Sequence, residues 1–173
     1  IIFNPLDKRC QGWNLFNELV RVMDIDAVAH SLIAQAFAQD PFWNDAARDV
    51  FSGILHYLYQ NNARSNSDIW AAVTAPIATI SSWLKGTKGC ERGFVYIQDA
   101  SSKQAISVIA VMMQYVKSFE YMSKADGNFC ISDWLNDPKA GTIFITNYAD
   151  VKDTLRPILS LFVDLLGRKL LSM

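Results

Sequence analysis

Apolar positions change period along the chain, and each change marks an element. Ile1-Ile2-Phe3 is a short apolar run stopped by Asn4-Pro5. Proline disfavours the helical region for the residue before it, so the run reads as a buried strand end followed by a turn. From Trp13 the spacing becomes three and four. Trp13, Phe16, Leu19, Val20 and Met23 predict an amphipathic helix. Asp26 is a candidate cap for a second helix carrying Val28, Leu32, Ile33, Ala36 and Phe37.

Asp40-Pro41 marks a sharp helix start. The carboxylate accepts from free first-turn amides, and proline at the first position loses nothing by lacking an N–H. That helix bears Phe42, Val50, Ile54, Leu55 and Leu58 and ends near Asn61-Asn62. Ser67 or Asp68 starts a shorter helix through Ile69, Trp70 and Val73. Pro76 ends it and opens another through Ile77, Ile80, Trp83 and Leu84, closed by Gly86. Residues 85–93 read as a loop with three glycines and four charges, three of them basic. A long helix is predicted from about Ser101 to Lys124, with Ile106, Ile109, Ala110, Met113, Val116, Phe119 and Tyr121-Met122 on its apolar side. Asp126-Gly127-Asn128 stops it.

The last third changes character. Residues 129–135 predict a short element capped by Ser132. Thr142-Ile143-Phe144-Ile145-Thr146 has the length and apolarity of a strand buried on both faces, as in a parallel sheet. Asp150 or Asp153 then starts a final helix with Leu155, Ile158, Leu159, Phe162, Val163, Leu166 and Leu170. One strand at each end and about six helices between them make an odd pattern, because two isolated strands do not form a stable sheet alone. The expected fold class is therefore mainly α: a helical domain inserted into an α/β domain whose sheet lies mostly outside this chain. A start at Ile1, without Met or a signal-peptide pattern, fits an excised piece.

Composition narrows the classes. The 173 residues are 51% hydrophobic and 19% charged, which excludes a disordered chain. Mean hydropathy is +0.10, slightly apolar for a soluble domain. No apolar run reaches the roughly 18–20 residues that cross a bilayer. Cys10, Cys90 and Cys130 are odd in number and far apart, with no Cys-x-x-Cys pair, so neither a disulfide framework nor a structural zinc site is expected. The net charge of −1 argues against a strongly basic nucleic-acid binder. That total hides a gradient of −3 over residues 1–60, +3 over 61–125 and −1 over 126–173.

Catalytic chemistry is sparse. His30 and His56 lie in helical patterns away from any ligand cluster, and structural or surface roles are expected for both. Asp24/Asp26 and Asp45/Asp49 read as caps or solvated faces rather than an acid–base pair. There is no G-x-S-x-G and no G-x-x-x-x-G-K-[ST]. The five tryptophans fall on helix apolar faces or near helix starts, so core packing is expected rather than base stacking. The positive middle is the place for an anionic partner. Lys85, Lys88, Arg92 and Lys103, around its loop, are the candidate substrate or DNA contacts; the competing reading for each is a solvated loop charge.

Read in order, the motifs resemble one family. Asn4-Pro5-Leu6-Asp7 with Arg9 and Trp13 opens the series, and Asp40-Pro41-Phe42-Trp43 follows at a helix start. Then come Ala105-Ile106-Ser107, Tyr115-Val116-Lys117 and Phe129-x-Ile131-x-Asp133-Trp134-Leu135. Phe144-Ile145-Thr146-Asn147 and Leu155-Arg156-Pro157-Ile158-Leu159-Ser160 close it. Order and spacing are similar to conjugative type IV secretion coupling proteins of the TraD/TrwB kind, over essentially the whole chain.

The resemblance implies a hexameric, membrane-anchored RecA-like ATPase carrying an inserted all-α domain. Residues 1–11 and 142–173 would belong to the nucleotide-binding domain, 12–125 to the all-α domain, and 126–141 to the return connection. It implies ATP and Mg²⁺ for the parent and no cofactor in this segment, since the phosphate loop and the acidic strand would lie outside it. Without that loop and carboxylate, the chain alone is expected not to hydrolyse ATP. The implied role is docking of a relaxase–DNA complex or a secreted protein, with weak single-stranded DNA contact, at the cytoplasmic face of the inner membrane. The alternatives are an insert that only braces subunits of the hexamer and an unrelated helical enzyme.

Overall fold

A computed structural model describes residues 1–34, 40–122 and 126–172. The two ends of the chain meet in a two-stranded parallel sheet. Strand β1 (Ile2–Phe3) pairs with β2 (Phe144–Ile145) in the register Ile2↔Phe144 and Phe3↔Ile145. A second parallel bridge joins Trp13 to Phe129. The parallel pairing agrees with the sequence expectation, but burial on both faces does not. Phe144 is 59% exposed, because a two-stranded ribbon leaves one side of β2 uncovered.

Eight helices lie between the strands among the described residues. They are α1 (Asp24–Leu32), α2 (Pro41–Gln60), α3 (Asn66–Val73), α4 (Ile77–Leu84), α5 (Glu91–Ile97), α6 (Lys103–Val116), α7 (Phe119–Met122) and α8 (Ile131–Asn136). Helix α9 (Lys152–Leu171) follows β2. Helix α2 is the axis. Its Val50, Phe51, Ile54 and Leu55 are fully buried, and α1, α3, α4, α5 and α6 pack around it.

Local chemistry explains several boundaries. The Asp40 carboxylate accepts from the Phe42 N–H, with Pro41 at the first helical position, as expected. Asn62, with φ of 58°, terminates α2 where the chain must reverse. Pro76 precedes α4, and Gly86 leaves it at φ of 76°, a conformation that costs most L-residues energy.

Other boundaries move. The helix expected from Trp13 is a 3-10 turn at Leu15–Glu18, and Val20 and Met23 are 73% and 64% exposed. The reason is local: Trp13 is held in the bridge to Phe129, and Asp24 accepts from the Val20 and Arg21 N–H groups. Asp24, not Asp26, thereby shapes the entry to α1. Ala36 and Phe37 lie outside the described residues.

Helix α3 is capped by Ser65, not Ser67 or Asp68. Ser65 accepts from the Asp68 N–H while the Asp68 carboxylate accepts from the Ser65 N–H, a reciprocal capping box. The long helix is shorter than expected. It starts at Lys103, capped by Ser102, and breaks at Lys117-Ser118. Glu120 and Tyr121 N–H groups reach back only three residues, to Lys117 and Ser118, which tightens the chain there. Its buried face is Ala105, Val108, Met112, Val116, Phe119 and Met122 rather than the Ile106–Met113 stripe, and Ile106 faces solvent. The predicted end at Lys124 lies outside the described residues.

Helix α8 has no side-chain cap, and α9 begins after a 3-10 turn at Ala149–Val151 without a cap from Asp150 or Asp153. Helix α9 packs on α1, α6 and α8, which places its Phe162 against the chain's start. Phe162 stacks on Phe3 at 4.1 Å and meets Trp13 edge-on at 5.1 Å. This aromatic cluster, with the sheet, joins the two ends of the chain.

Candidate functional site

The loop between α4 and α5 is built onto α2. Gln60, in the last turn of α2, donates its side-chain N–H to the Lys88 carbonyl at 2.7 Å. The Thr87 hydroxyl donates to the Trp83 carbonyl at 2.7 Å. Gly89 has φ of 88° and lies against His56; a Cβ there would come within 3.0 Å of the imidazole Nδ1. The buried Cys90 thiol donates to the Gly53 carbonyl at 3.1 Å, and burial pushes its pKa up to about 11, so it remains a thiol. The loop is therefore docked by four separate contacts.

The four candidate cations separate. Lys85 and Lys88 are exposed at the N-terminal side of α5, and Lys103 is exposed beyond its C-terminal end. Helix α5, seven residues at about 1.5 Å each, spans about 10 Å of the path between them. None of the three lysines forms an ion pair among the described residues. Arg92 differs. It lies inside α5, and its guanidinium meets Asp26 at 2.7 Å and Asp49 at 3.7 Å. Asp26 also accepts from Ser52 at 2.6 Å, with the buried His56 Nε2 3.8 Å away. Arg92 thus ties α5 to α1 and α2.

Burial lowers the His56 pKa, against the opposing pull of Asp26. Burial also raises Asp49, despite Arg92. Neither histidine belongs to a ligand cluster, and no group of three or more His, Cys, Asp or Glu among the described residues could hold a metal.

A second polar centre was not anticipated from sequence. The Glu18 side chain is fully buried. Its carboxylate accepts from Trp13 Nε1 at 2.9 Å and the Ile131 N–H at 2.7 Å, and pairs with Lys169 Nζ at 3.1 Å. Lys169 also donates to Ser132 Oγ at 2.7 Å. So Ser132, expected as a cap, instead receives the α9 lysine. Beside this node lies a cleft of about 520 Å³, walled by α1, α8 and α9 and including Arg21, Asp24, Leu135 and Leu165. Glu18 stood in the sequence as an unremarkable acid; the only signal was one acidic residue inside an otherwise apolar stretch.

The tryptophans divide. Trp13 is wholly buried, whereas Trp43, Trp70 and Trp83 are half-buried against the core. Trp134 donates its indole N–H to the Gly141 carbonyl at 2.9 Å.

The nucleotide motifs are a separate question. The Gly86–Gly89 loop follows helix α4 rather than a strand, and no group of three or more His, Cys, Asp or Glu able to hold a metal lies among the described residues. The residues described do not fit a nucleotide–magnesium site, so no step through ATP is assigned to them.

Comparison with known proteins decides the family. The family described as Type IV secretion-system coupling protein DNA-binding domain matches residues 1–173. The chain belongs to this family of coupling proteins. Coupling protein TraD of Escherichia coli (strain K12) is 31% identical over 180 residues, covering 99% of this chain and 24% of TraD. The bacterial conjugative coupling protein TrwBdeltaN70, unbound monoclinic form, is 27% identical with a TM-score of 0.84. That match covers 100% of this chain and 40% of the TrwB chain. Plasmid coupling protein TrwB in complex with ADP and Mg²⁺ is 28% identical, also at 0.84, over 100% of this chain and 41% of that one. The chain thus spans about a quarter of TraD and two fifths of TrwB. The mainly helical fold with short strand remnants at both ends is the one expected for the all-α part of this coupling-protein family. No helix among the described residues is long and apolar enough to cross a membrane.

Proposed function

We propose that this chain is the substrate-docking part of a conjugative type IV coupling protein, receiving a relaxase–DNA complex or a secreted protein. In this reading, residues 12–125 form the docking domain. Residues 1–11 and 142–173 belong to a RecA-like nucleotide-binding domain, and 126–141 return the chain to it. The complete protein is a hexameric, membrane-anchored ATPase using ATP and Mg²⁺; TrwB, a relative, has been seen with ADP and Mg²⁺.

The observation that carries the reading is a match to the coupling-protein DNA-binding domain along all 173 residues. The exposed, unpaired lysines of a docked loop support a weak contact to single-stranded DNA. Lys85 and Lys88, with Lys103 further along, offer two or three phosphate contacts. Each contact contributes roughly −0.7 to the slope of log affinity against log salt for a single strand, so binding is weak and shallow in its salt dependence. Arg92 is a candidate of a different kind, because its charge is already matched by Asp26 and Asp49.

Reversing the charge of Lys85, Lys88 and Lys103 together, with Arg92 changed separately, tests the DNA contact. Affinity for single-stranded DNA or for the relaxase complex is expected to fall for the lysine set. Unchanged binding overturns the assignment. A second reading, an insert that braces neighbouring subunits, draws support from the exposed Val20, Val22 and Met23 beside the α1–α9 cleft. Exchanging this segment between two coupling proteins separates the readings. Docking requires cargo preference to travel with the segment; bracing does not.

A further inference from the structure

Trp83 and Tyr57 form a nearly parallel stack, with ring centroids 5.2 Å apart and planes inclined by 10°. Each ring has one face against the other, and both residues keep part of their surface in solvent. The loop after α4 is tied to both helices that carry the pair. Lys85 follows Trp83 by two residues at the end of α4. Thr87 is bonded to the Trp83 carbonyl. Gln60, which holds the Lys88 carbonyl, is three residues from Tyr57 and shares its side of α2. The one carboxylate of the 85–93 segment, Glu91, is turned onto the Gly89 N–H at 2.9 Å.

The result is a partly exposed aromatic stack with two exposed lysines, Lys85 and Lys88, on a loop bonded to the same two helices. That combination suits a single strand rather than a duplex: bases with a free π-face stack on the aromatic ring while lysines meet the phosphates. Duplex DNA hides its base faces and leaves only the charge term. The flanking lysines have no carboxylate partner among the described residues, whereas Arg92, a short way along the same segment, is paired with Asp26 and Asp49.

We infer that Trp83, stacked on Tyr57, is a base-stacking site for single-stranded nucleic acid, with Lys85 and Lys88 as its phosphate contacts. The inference rests on the proposed DNA contact of this loop and adds to it that bases, not phosphates alone, are bound.

The test compares two strands of equal length and charge, an oligothymidylate and an abasic phosphodiester, titrated into the 173-residue chain by fluorescence anisotropy. The unaltered chain is expected to bind the base-bearing strand at least about five-fold more tightly, the low end of one base stacked on an aromatic side chain. Trp83→Met fills the space without a π-face and should abolish that preference, provided circular dichroism shows a native fold. Lys85→Gln with Lys88→Gln should weaken both strands by the same factor and leave the preference intact. If Trp83→Met does not fold, iodouracil-substituted strands photo-crosslinked to the unaltered chain decide the matter by mass spectrometry. Cross-links at Trp83 or Tyr57 support the inference, and cross-links confined elsewhere overturn it. Equal binding of the two strands, with a lysine effect, overturns the stacking site alone and leaves the DNA contact standing. Equal binding without a lysine effect overturns both.

Discussion

Glu18–Lys169 and Asp26–Arg92 are both ion pairs between stretches far apart in sequence, yet they do different work. The first is buried. Glu18 has no exposed side-chain surface, and Trp13, Ile131 and Lys169 all meet its carboxylate, so it joins the chain's start, α8 and α9 in one node. The second lies at the surface: the Arg92 side chain is 58% exposed, and Asp26 shares its oxygens with Ser52. Water screens the second pair more than the first, in which Glu18 is fully buried and the Lys169 side chain is 18% exposed. Removing one partner therefore leaves a stranded charge in one place and a hydrated one in the other. What the comparison teaches is that the joint between the chain's two ends depends on a buried charge, whereas the helical face bearing the basic loop is held by exposed polar contacts and by packing.

The largest expected effect comes from breaking the buried node. Lys169→Met should cost about 3–5 kcal/mol, because it leaves Glu18 buried without its counter-charge. Chemical denaturation measures this. A loss under 1 kcal/mol would remove the distinction between the two pairs. Gly93→Ala comes next. Its Cβ would lie 2.5 Å from the Asp49 carbonyl oxygen and 2.9 Å from the Val50 Cα, both backbone atoms that cannot rotate away. Separating α5 from α2 should cost about 1–3 kcal/mol, read from the thermal midpoint. Arg92→Ala, at the exposed pair, should cost no more than about 1 kcal/mol. A larger loss would mean that the pair is shielded in solution and that the comparison fails.

Acid should probe the Asp26–Arg92 pair through the histidine beside it. His56 has a folded pKa below its ordinary value because burial disfavours the charged ring. Its contribution is therefore complete above the unfolded pKa near 6.5 and is lost as pH falls through that value toward the folded one. His30 is shifted in the same direction, by burial first. The thermal midpoint should fall between pH 7 and 5, less steeply in His56→Gln than in the unaltered chain. An unchanged slope would remove His56 from the account. The smallest effect is local. The Arg9 guanidinium holds the Asp7 carboxyl down to about 2, so Asp7 should stay ionised well below its usual range in an NMR titration.

How much of this was visible in the sequence depends on the range of each interaction. Asp40-Pro41, Pro76 and Gly86 were readable because a cap or a terminating turn depends on a few adjacent residues. The strand character of residues 1–3 and 142–146 was readable from their continuous apolarity; their pairing with each other was not. The helix expected from Trp13 was not formed, because the three-and-four spacing of its apolar residues served a different purpose. Trp13 is anchored by Phe129 and by Asn66, whose side-chain N–H donates to the Trp13 carbonyl at 2.7 Å. Those partners lie 116 and 53 residues away. In the candidate site, the lysines were identifiable by charge. The commitment of Arg92 to Asp26, 66 residues earlier, was not. Nor was the partial exposure of the Trp83–Tyr57 stack, since an apolar period marks the side facing the core without saying how completely the core covers it.

By itself the sequence determined the helical class, the positions of its strongest caps, the strand-like ends and the family resemblance. These depend on local backbone preference and on the order of motifs along the chain. Only the tertiary structure decided that a buried acid 151 residues from its lysine joins the ends, and that one of four candidate cations is already paired. It also decided which aromatic rings face water. Each of these is a matter of which surfaces meet when α9 and α5 dock. Burial then sets whether a charge is worth several kcal/mol or almost none, and burial is a property of the assembled chain rather than of any stretch of it.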